Sequence, residues 1–314
     1  MTLVLKPPRL RAGDLIGLVS PASAPSSAEM IERGVRYLER LGYRVNVGKH
    51  AATVRGYLAG TDDQRSADFN EMIHNPDVKA IIAVRGGYGS TRILSMIDYK
   101  ALRRQPKIIV GYSDITALQL AIFCRTGLVT VSGPMSGVEM LDNIDPYTEE
   151  NFWRIITSRS KIGQLKNPAD EPLKTLHTGV GVGRILGGNL ATLSALHGTS
   201  FAPSFKEAVL ILEDVDEAPH RIDRMLSQLQ NAGIFAKIAG LVFGKFTDCV
   251  PTDPSKPYLT IDQIFDNVAH HVDVPVVSNL QYGHIPKKLS IPIGLKAKVD
   301  AKKGVIEVLE GAVI

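Results

Sequence analysis

The sequence of 314 residues predicts an α/β protein of two domains, a parallel sheet flanked by helices and then a smaller mixed α/β domain. Three observations support this prediction. Short apolar runs alternate with helical patterns of roughly 10–15 residues in the first half, which is typical of a parallel sheet with helices on both faces. Those runs are continuously apolar, which indicates strands buried on both sides. The chain also exceeds roughly 250–300 residues, where single cores stop growing.

The first strand is predicted over residues 14–20, which are mostly apolar. A helix then opens at Ser26, because Glu29 stands three residues later and the two form the sequence signature of a capping box. Apolar residues recur along one face of this helix, and Gly42 is the expected C-terminal stop.

A second capping box, Thr61 with Gln64, predicts a helix that runs to about Asn75. The remaining elements of the first half follow in order. They are a strand over 80–84, a helix from Ser90, a strand over 107–111, and a helix from Asp114 to about Arg125 that Gly127 ends.

The alternation of strands and helices stops between Ser158 and Thr178, where serines, prolines and charges accumulate. We therefore place the domain boundary there and divide the chain into 1–165 and 166–314. The second half contains predicted strands over 208–212, 239–243 and 275–278, a helix that ends at Gly233, and an antiparallel hairpin of 295–299 with 305–309.

The composition is that of an ordinary globular protein, with 44% hydrophobic and 22% charged residues, which excludes disordered and fibrous classes. A net charge of +4 is spread along the chain, so we expect no nucleic-acid partner. Two cysteines form no disulfide framework, and the eight histidines show no metal-ligand spacing, so we expect neither metal nor cofactor. No apolar stretch approaches a signal peptide or a membrane span, so we expect a cytoplasmic protein without a membrane partner.

Ser113 is the strongest candidate for a reactive side chain, because it directly follows a predicted strand and precedes a helix. This is the position of the nucleophile in a strand–turn–helix elbow, where the helix amides favour negative charge. Ile115 stands where the second glycine of the full motif would be, and a serine here also fits an ordinary helix N-cap. The pair Gly86-Gly87 likewise fits either a donor of amides to an oxyanion or a tight turn.

A serine nucleophile needs a base and an orienting carboxylate. Glu213 ends a predicted strand, where a carboxylate is either an ion-pair partner or a surface residue. His284 lies on a glycine-containing loop after the strand over 275–278, whereas His220 and His197 fit a solvated helix start and a helix end. Spacing therefore allows a Ser113, Glu213, His284 triad without proving it.

Several segments together resemble the LD-carboxypeptidase family of serine peptidases, which includes the microcin C self-immunity proteins. They occur in the family's order from about residue 10 to 295 and are GYLAGTD (56–62), AVRGGYG (83–89), GYSDITAL (111–118), GGNL (187–190), LEDV (212–215), RIDR (221–224) and GH (283–284). The resemblance implies a flavodoxin-like N-terminal domain, a smaller C-terminal α/β domain and a homodimer.

The resemblance also implies an activity and the residues that perform it. Ser113, Glu213 and His284 would be the catalytic triad, and the amides of Gly86 and Asp114 would form the oxyanion hole. Glu217 is the rival carboxylate, although Glu213 is favoured because a strand end is rigid. The implied substrate is a murein tetrapeptide or a related small peptide that ends in D-alanine.

A free substrate carboxylate calls for a cation, because burying it unpaired is costly. We expect Arg85 in this role and Arg184 as second choice, with a structural ion pair as the alternative for Arg85. Two other functions stay open. One is hydrolysis of microcin C-like aminoacyl-nucleotide amides, which needs an aromatic face for the base, whereas the only tryptophan, Trp153, has the sequence context of core packing. The other is a non-catalytic binding module. The segments 136–146 and 247–258 are candidate lids.

Overall fold

The computed structural model describes residues 4–314 and contains two sheets. The first half supplies five strands and five α-helices. The strands are β1 (Leu15–Val19), β2 (Arg44–Val47), β3 (Val78–Ala83), β4 (Ile108–Gly111) and β5 (Thr130–Ser132). The helices are α1 (Ala28–Arg40), α2 (Asp62–His74), α3 (Tyr99–Arg104), α4 (Thr116–Thr126) and α5 (Pro146–Thr157).

The second half supplies nine strands and three α-helices. The strands are β6 (Gly163–Gln164), β7 (Lys174–His177), β8 (Val180–Asn189), β9 (Ala208–Val215), β10 (Gly240–Thr247), β11 (Val276–Ser278), β12 (Ile291–Ile293), β13 (Lys296–Asp300) and β14 (Val305–Val308). The helices are α6 (Leu190–Leu196), α7 (Pro219–Asn231) and α8 (Ile261–Ala269).

The first sheet has the order β12-β5-β4-β3-β1-β2, and its first five strands along the chain pair in parallel. This is the 2-1-3-4-5 order of flavodoxin-like folds, so the predicted fold class is confirmed. The sixth strand, β12, comes from near the end of the chain and pairs antiparallel with β5. In such a sheet, ligands bind outside the carboxyl ends of the strands, where the loops after β1, β3 and β4 lie.

The second sheet has the order β6-β14-β13-β8-β9-β10-β11-β7. Its centre, β8 to β11, is parallel, and both flanks are antiparallel. The predicted hairpin of β13 and β14 is present, with Lys302 and Lys303 in its turn. The two ends of the described chain also meet, because Ile314 accepts a backbone hydrogen bond from Arg9 and donates one to Pro7.

The core follows the apolar runs of the sequence. Ile16 and Leu18 of β1, Ile82 of β3 and Leu210 of β9 are all fully buried. Within residues 4–314, we find no helix that combines the length and the apolar character needed to cross a membrane.

Two local predictions need correction, and a third is confirmed. Helix α1 begins at Ala28 with Ser27 at its N-cap, and no side chain caps it, so the Ser26–Glu29 capping box is wrong. The box of Thr61 with Gln64 is present in full at the start of α2. The helix expected from Ser90 is a 3₁₀ helix over Ser90–Met96, and α3 follows it.

Candidate active site

Ser113 lies in the tight turn between β4 and α4, and its backbone is left-handed with φ 64°. A residue with a side chain adopts this conformation at a cost of roughly 1–2 kcal/mol, so the surrounding structure must hold it. This is the geometry of a nucleophile elbow. Ser113 does not cap a helix, because the N-cap positions belong to Tyr112 for the short 3₁₀ turn and to Ile115 for α4.

The loop after β3 comes into contact with this turn at Gly86. A Cβ atom added there would lie 2.8 Å from Ser113 Cβ and 3.0 Å from Ser113 Oγ, so only glycine leaves room. Among the described residues, the backbone N–H groups of Gly86 and Asp114 donate to no acceptor. Two free amides beside a serine hydroxyl are suited to stabilise an oxyanion.

The side chain of Asp114 ties the two loops together. Its carboxylate accepts a hydrogen bond from the backbone N–H of Ser90 at 2.8 Å, and its carbonyl accepts one from Ser90 Oγ at 2.6 Å. Burial raises the pKa of Asp114, although the Ser90 bonds oppose the shift. The loop after β3 and the serine turn are therefore fixed relative to each other.

Glu213 and His284 form the second part of the site. The carboxylate of Glu213 is fully buried, and its Oε2 accepts a hydrogen bond from His284 Nδ1 at 2.7 Å. With Nδ1 protonated in this way, Nε2 is the nitrogen that can accept a proton. Gly283 makes the approach possible, since it has φ 136° and a Cβ there would lie 3.1 Å from Glu213 Oε2.

The rival residues are bonded differently, although Glu217 lines the cavity that contains Ser113. Glu217 pairs with Arg221 at 2.7 Å. His220 lies in α7 and His197 is the C-cap of α6, and neither lines the cavity that contains Ser113. The hydrogen bond to His284 therefore favours Glu213 as the orienting carboxylate.

Ser113 and His284 line one cavity of about 1140 Å³, together with Gly86 and Asp114. The cavity lies at the carboxyl ends of the first sheet and is closed on the other side by residues from β8 and β9. In the described part of the chain, no hydrogen bond joins Ser113 Oγ to the imidazole of His284. Such bonds are often long in the free enzyme and tighten when substrate binds.

The two candidate arginines differ in position. Arg85 lines the cavity, and its only hydrogen bond within the described residues is a long one, 3.4 Å, to the carbonyl of Ala24. Arg184 lies five residues before the cavity end of β8, does not line the cavity and donates to the carbonyl of Gly294. The structure therefore separates Arg184 from the other candidate residues.

Sequence reasoning gave no role to two polar residues that line the cavity, Asn189 and Asp214. Asn189 Nδ2 donates to Asp214 Oδ1 at 2.8 Å, and the backbone N–H of Ala191 donates to Asp214 Oδ2 at 2.9 Å. Burial, and then the neighbouring Glu213, raise the pKa of Asp214 to about 6. Their only signal in the sequence was their position in the GGNL and LEDV segments.

Aromatic side chains occupy two different places. Tyr57 and Tyr88 line the cavity, are 66% and 69% exposed, and pack edge to face at 6.1 Å between ring centroids. Trp153 lies outside the cavity, stacks on Tyr43 at 5.2 Å, and donates to the hydroxyl of Tyr37. The expected packing role of Trp153 is thus confirmed.

The chain from Ser136 is anchored where it leaves the first sheet. The backbone N–H groups of Ser136 and Gly137 donate to the carbonyls of Ala83 and Val84, and Met140 is fully buried. The beginning of the expected lid over 136–146 is therefore part of the packed structure. Across residues 4–314, no group of three or more His, Cys, Asp or Glu side chains is arranged to hold a metal ion.

Two family models match the chain. The LD-carboxypeptidase N-terminal domain matches residues 16–133, and the LD-carboxypeptidase C-terminal domain matches residues 182–299. A relative from Bacillus subtilis (strain 168), named a probable murein peptide carboxypeptidase, is 37% identical over 99% of this chain and 98% of its own length.

Two solved structures are similar to this protein over nearly the whole chain. The muramoyltetrapeptide carboxypeptidase from Oxalobacter formigenes is 29% identical, with a TM-score of 0.82 over 95% of this chain and 99% of that one. The microcin C7 self-immunity protein MccF in complex with aspartyl sulfamoyl adenosine is 28% identical. Its TM-score is 0.89 over 99% of this chain and 100% of that one.

Proposed function

This chain belongs to the LD-carboxypeptidase family, and from that premise we propose that it is a serine carboxypeptidase that releases terminal D-alanine from murein tetrapeptide. The observation that carries the proposal is the 2.7 Å bond between buried Glu213 and His284 at the cavity that also contains Ser113. Ser113 and His284, from distant parts of the sequence, line this cavity, and Glu213 is bonded to His284 from the protein interior.

In the proposed mechanism, Ser113 Oγ attacks the carbonyl carbon of the bond from meso-diaminopimelate to D-alanine, while His284 Nε2 takes the hydroxyl proton. The carbonyl oxygen becomes an oxyanion, which the amides of Gly86 and Asp114 stabilise by roughly 3–4 kcal/mol per donor. The C–N bond then breaks, and His284 returns the proton to the amine of D-alanine.

Water completes the reaction by attacking the acyl-enzyme, with His284 again as base, and this step restores the Ser113 hydroxyl. Glu213 holds the imidazole in the tautomer with Nδ1 protonated and stabilises its cation. Removing Glu213 would leave Nδ1 without a partner and release the ring.

We assign Arg85 to the substrate carboxylate. Arg85 lines the cavity and directly precedes the Gly86-Gly87 pair. It has no ion-pair partner among the described residues. A carboxylate bound next to the oxyanion loop would place the preceding peptide bond close to Ser113. From the family resemblance we also infer that the protein works in the cytoplasm as a homodimer.

A second function is favoured by one observation, the close structural similarity to MccF bound to aspartyl sulfamoyl adenosine. Under this alternative, the same Ser113, Glu213 and His284 hydrolyse an aminoacyl-nucleotide amide. Trp153 packs outside the cavity and is not available to stack on a base, whereas Tyr57 and Tyr88 are exposed at it. Under this alternative, Tyr57 and Tyr88 are therefore the aromatic side chains that a nucleotide base would meet.

The deciding experiment is mass spectrometry of L-Ala-γ-D-Glu-meso-diaminopimelate-D-Ala incubated with the wild-type protein and with Ser113→Ala. We expect the wild type to release D-alanine and the variant to lose at least about 10³-fold of the rate, because the nucleophile is gone. Circular dichroism establishes that the variant is folded.

Three other outcomes would contradict the proposal. A folded wild type that releases no D-alanine, but hydrolyses an aminoacyl sulfamoyl adenosine, would assign the second function. Equal release by wild type and Ser113→Ala would remove Ser113 as nucleophile. Inactivity on both substrates would favour a non-catalytic binding module.

A further inference from the structure

A buried ionic network lies close to His284, which it reaches through the ring of Tyr112. Lys288 Nζ is 2.6 Å from Glu139 Oε1, and the same oxygen accepts a hydrogen bond of 2.6 Å from the hydroxyl of Tyr112. The side chains of Lys288 and Glu139 are only 3% and 11% exposed. The other carboxylate oxygen of Glu139 accepts the backbone N–H of Met135 at 3.0 Å.

The ring of Tyr112 connects this network to both catalytic residues. Its centroid is 4.9 Å from that of His284, with an interplanar angle of 63°, so the two rings pack edge to face. Lys288 Nζ lies 3.9 Å from the centroid of Tyr112, which is a close cation–π contact. Tyr112 is also the residue immediately before Ser113, and its hydroxyl stays protonated because burial and Glu139 raise its pKa.

The network also holds the loop that carries the histidine. The backbone N–H of Lys288 donates to Thr148 Oγ1 at 2.8 Å, and Thr148 Oγ1 donates to the carbonyl of Pro286 at 2.7 Å. Thr148 lies in α5. The segment from His284 to Lys288 is therefore bonded to the first half of the chain twice, by the side chain of Lys288 to Glu139 and by its backbone to Thr148.

A second cavity of about 390 Å³ lies beside the network and is lined by Tyr112, His284, Glu139 and Lys288, among others. On this side the residues border open space, so the directional bonds of the network contribute to holding the Tyr112 ring in place. A buried ion pair is a poor source of stability, because desolvation offsets its attraction, but its hydrogen bonds impose a definite geometry.

We propose that Glu139 and Lys288 are positioning residues for catalysis, which fix the Tyr112 ring and through it the relative placement of His284 and Ser113. The proposal rests on the proposed function, since it concerns the same triad. Neither residue contacts the substrate in this assignment. Their removal should therefore lower the rate of reaction at Ser113 and leave substrate affinity nearly unchanged.

The test uses the double variant Glu139→Gln/Lys288→Met, which removes both charges and so leaves no unpaired ion in the interior. The single variant Glu139→Gln leaves the Lys288 charge unpaired, and we expect it to unfold at a lower temperature than the double variant. The matched control is Lys6→Met/Glu310→Gln, which removes a partly buried ion pair of 2.6 Å that contacts none of these residues.

Three quantities are measured. They are kcat and KM on the tetrapeptide, and the rate at which a fluorophosphonate labels Ser113, a reaction that needs no peptide substrate. We expect the folded double variant to lose at least about 10-fold in kcat and in labelling rate, with KM within about 2-fold of wild type. The control variant should keep both rates. If the network served stability alone, the double variant would have wild-type activity as long as it is folded.

The outcomes separate the two proposals. If the folded double variant is labelled and turns over like wild type, the positioning role is wrong and the proposed function stands. An increase in KM with unchanged kcat would place the network in substrate binding and also overturn the positioning role. If the wild type neither reacts with the label nor cleaves the peptide, the proposed function fails, and the positioning role fails with it.

Discussion

Glu213 shows how a single residue can be structurally costly and still be retained. Its Oε2 accepts the bond from His284, whereas its Oε1 is buried without a hydrogen-bond partner. A buried acceptor that is left unpaired costs roughly 1–3 kcal/mol, so packing alone does not explain a glutamate here. Orientation of the imidazole does explain it.

The assignment of Arg85 makes a prediction at the scale of one side chain. Arg85→Ala should lower kcat/KM on the tetrapeptide by roughly 10- to 100-fold, because a charge-assisted bond to the carboxylate is lost. On the C-terminally amidated tetrapeptide, which lacks that charge, the same substitution should change kcat/KM by less than about 3-fold.

The natural control for this prediction is Arg184→Ala, since Arg184 lies outside the cavity. Its kcat/KM should stay close to wild type on both peptides. Equal losses by Arg85→Ala on the free and the amidated peptide would show that Arg85 does not bind the carboxylate.

The sequence predicted the fold class and a triad that stays a prediction until the serine is tested. It could not predict the contact that makes Glu213 preferable to Glu217, because this contact is with His284, which lies 71 residues further along the chain. Nor could it predict that Glu139 and Lys288, which lie in separate loops, pair directly beside the ring of Tyr112. Such interactions have no local pattern.

Strand β9 illustrates the limits of pattern reading at the scale of one element. The apolar run ends at Leu212, so the strand was predicted to end there. It continues to Val215, because Glu213 pairs in register with Asn189 of β8 and Asp214 with Phe246 of β10. Two carboxylates interrupt the apolar pattern, yet hydrogen bonds inside the sheet keep the strand intact.

The predicted start of α1 was wrong for a related reason. The spacing of Ser26 and Glu29 fits a capping box, but the same spacing also occurs where the chain is not yet helical. Ser26 lines the cavity instead, and the helix begins two residues later. At α2 the hydroxyl of Thr61 accepts the backbone N–H of Gln64, and the same signature predicted the right N-cap.

The close approach of the loop after β3 to the serine turn gives a prediction for Gly86→Ala. The new methyl group would lie 2.8 Å from Ser113 Cβ and must displace the serine. We expect kcat to fall by roughly 100-fold, as for a misplacement of about 1 Å, with little change in melting temperature.

The matched control is Gly240→Ala in β10. It is also buried, but its new Cβ would meet neighbours at 3.5 Å or more, which is ordinary contact. Both activity and melting temperature should stay near wild type. If Gly86→Ala retained full kcat, the loop after β3 would not constrain the nucleophile.

The whole molecule is less divided than its two sheets suggest. We place the domain boundary at residues 165 and 166, yet β12, from 291–293, completes the first sheet by pairing with β5. The backbone of Ile314 is also bonded to Arg9 and Pro7 at the other end of the described chain. Either half alone would lose one of these partners.

We therefore predict a single cooperative unfolding transition in differential scanning calorimetry. Ile82→Ala in the first sheet and Leu210→Ala in the second each remove a fully buried side chain, at a cost of roughly 2–5 kcal/mol. Each should move the whole transition to lower temperature. Two resolved peaks, or a shift of only part of the heat absorption, would contradict this coupling.

The left-handed backbone at Ser113 has a consequence for how such a chain diverges. Glycine adopts that conformation freely, and asparagine adopts it more readily than most residues. One substitution at this position would therefore end the catalysis that we propose for Ser113, without demanding any repair of the fold. The cavity, the free amides of Gly86 and Asp114, and Arg85 all remain. A duplicated copy is thus one step from being a receptor for the ligand that its ancestor cleaved.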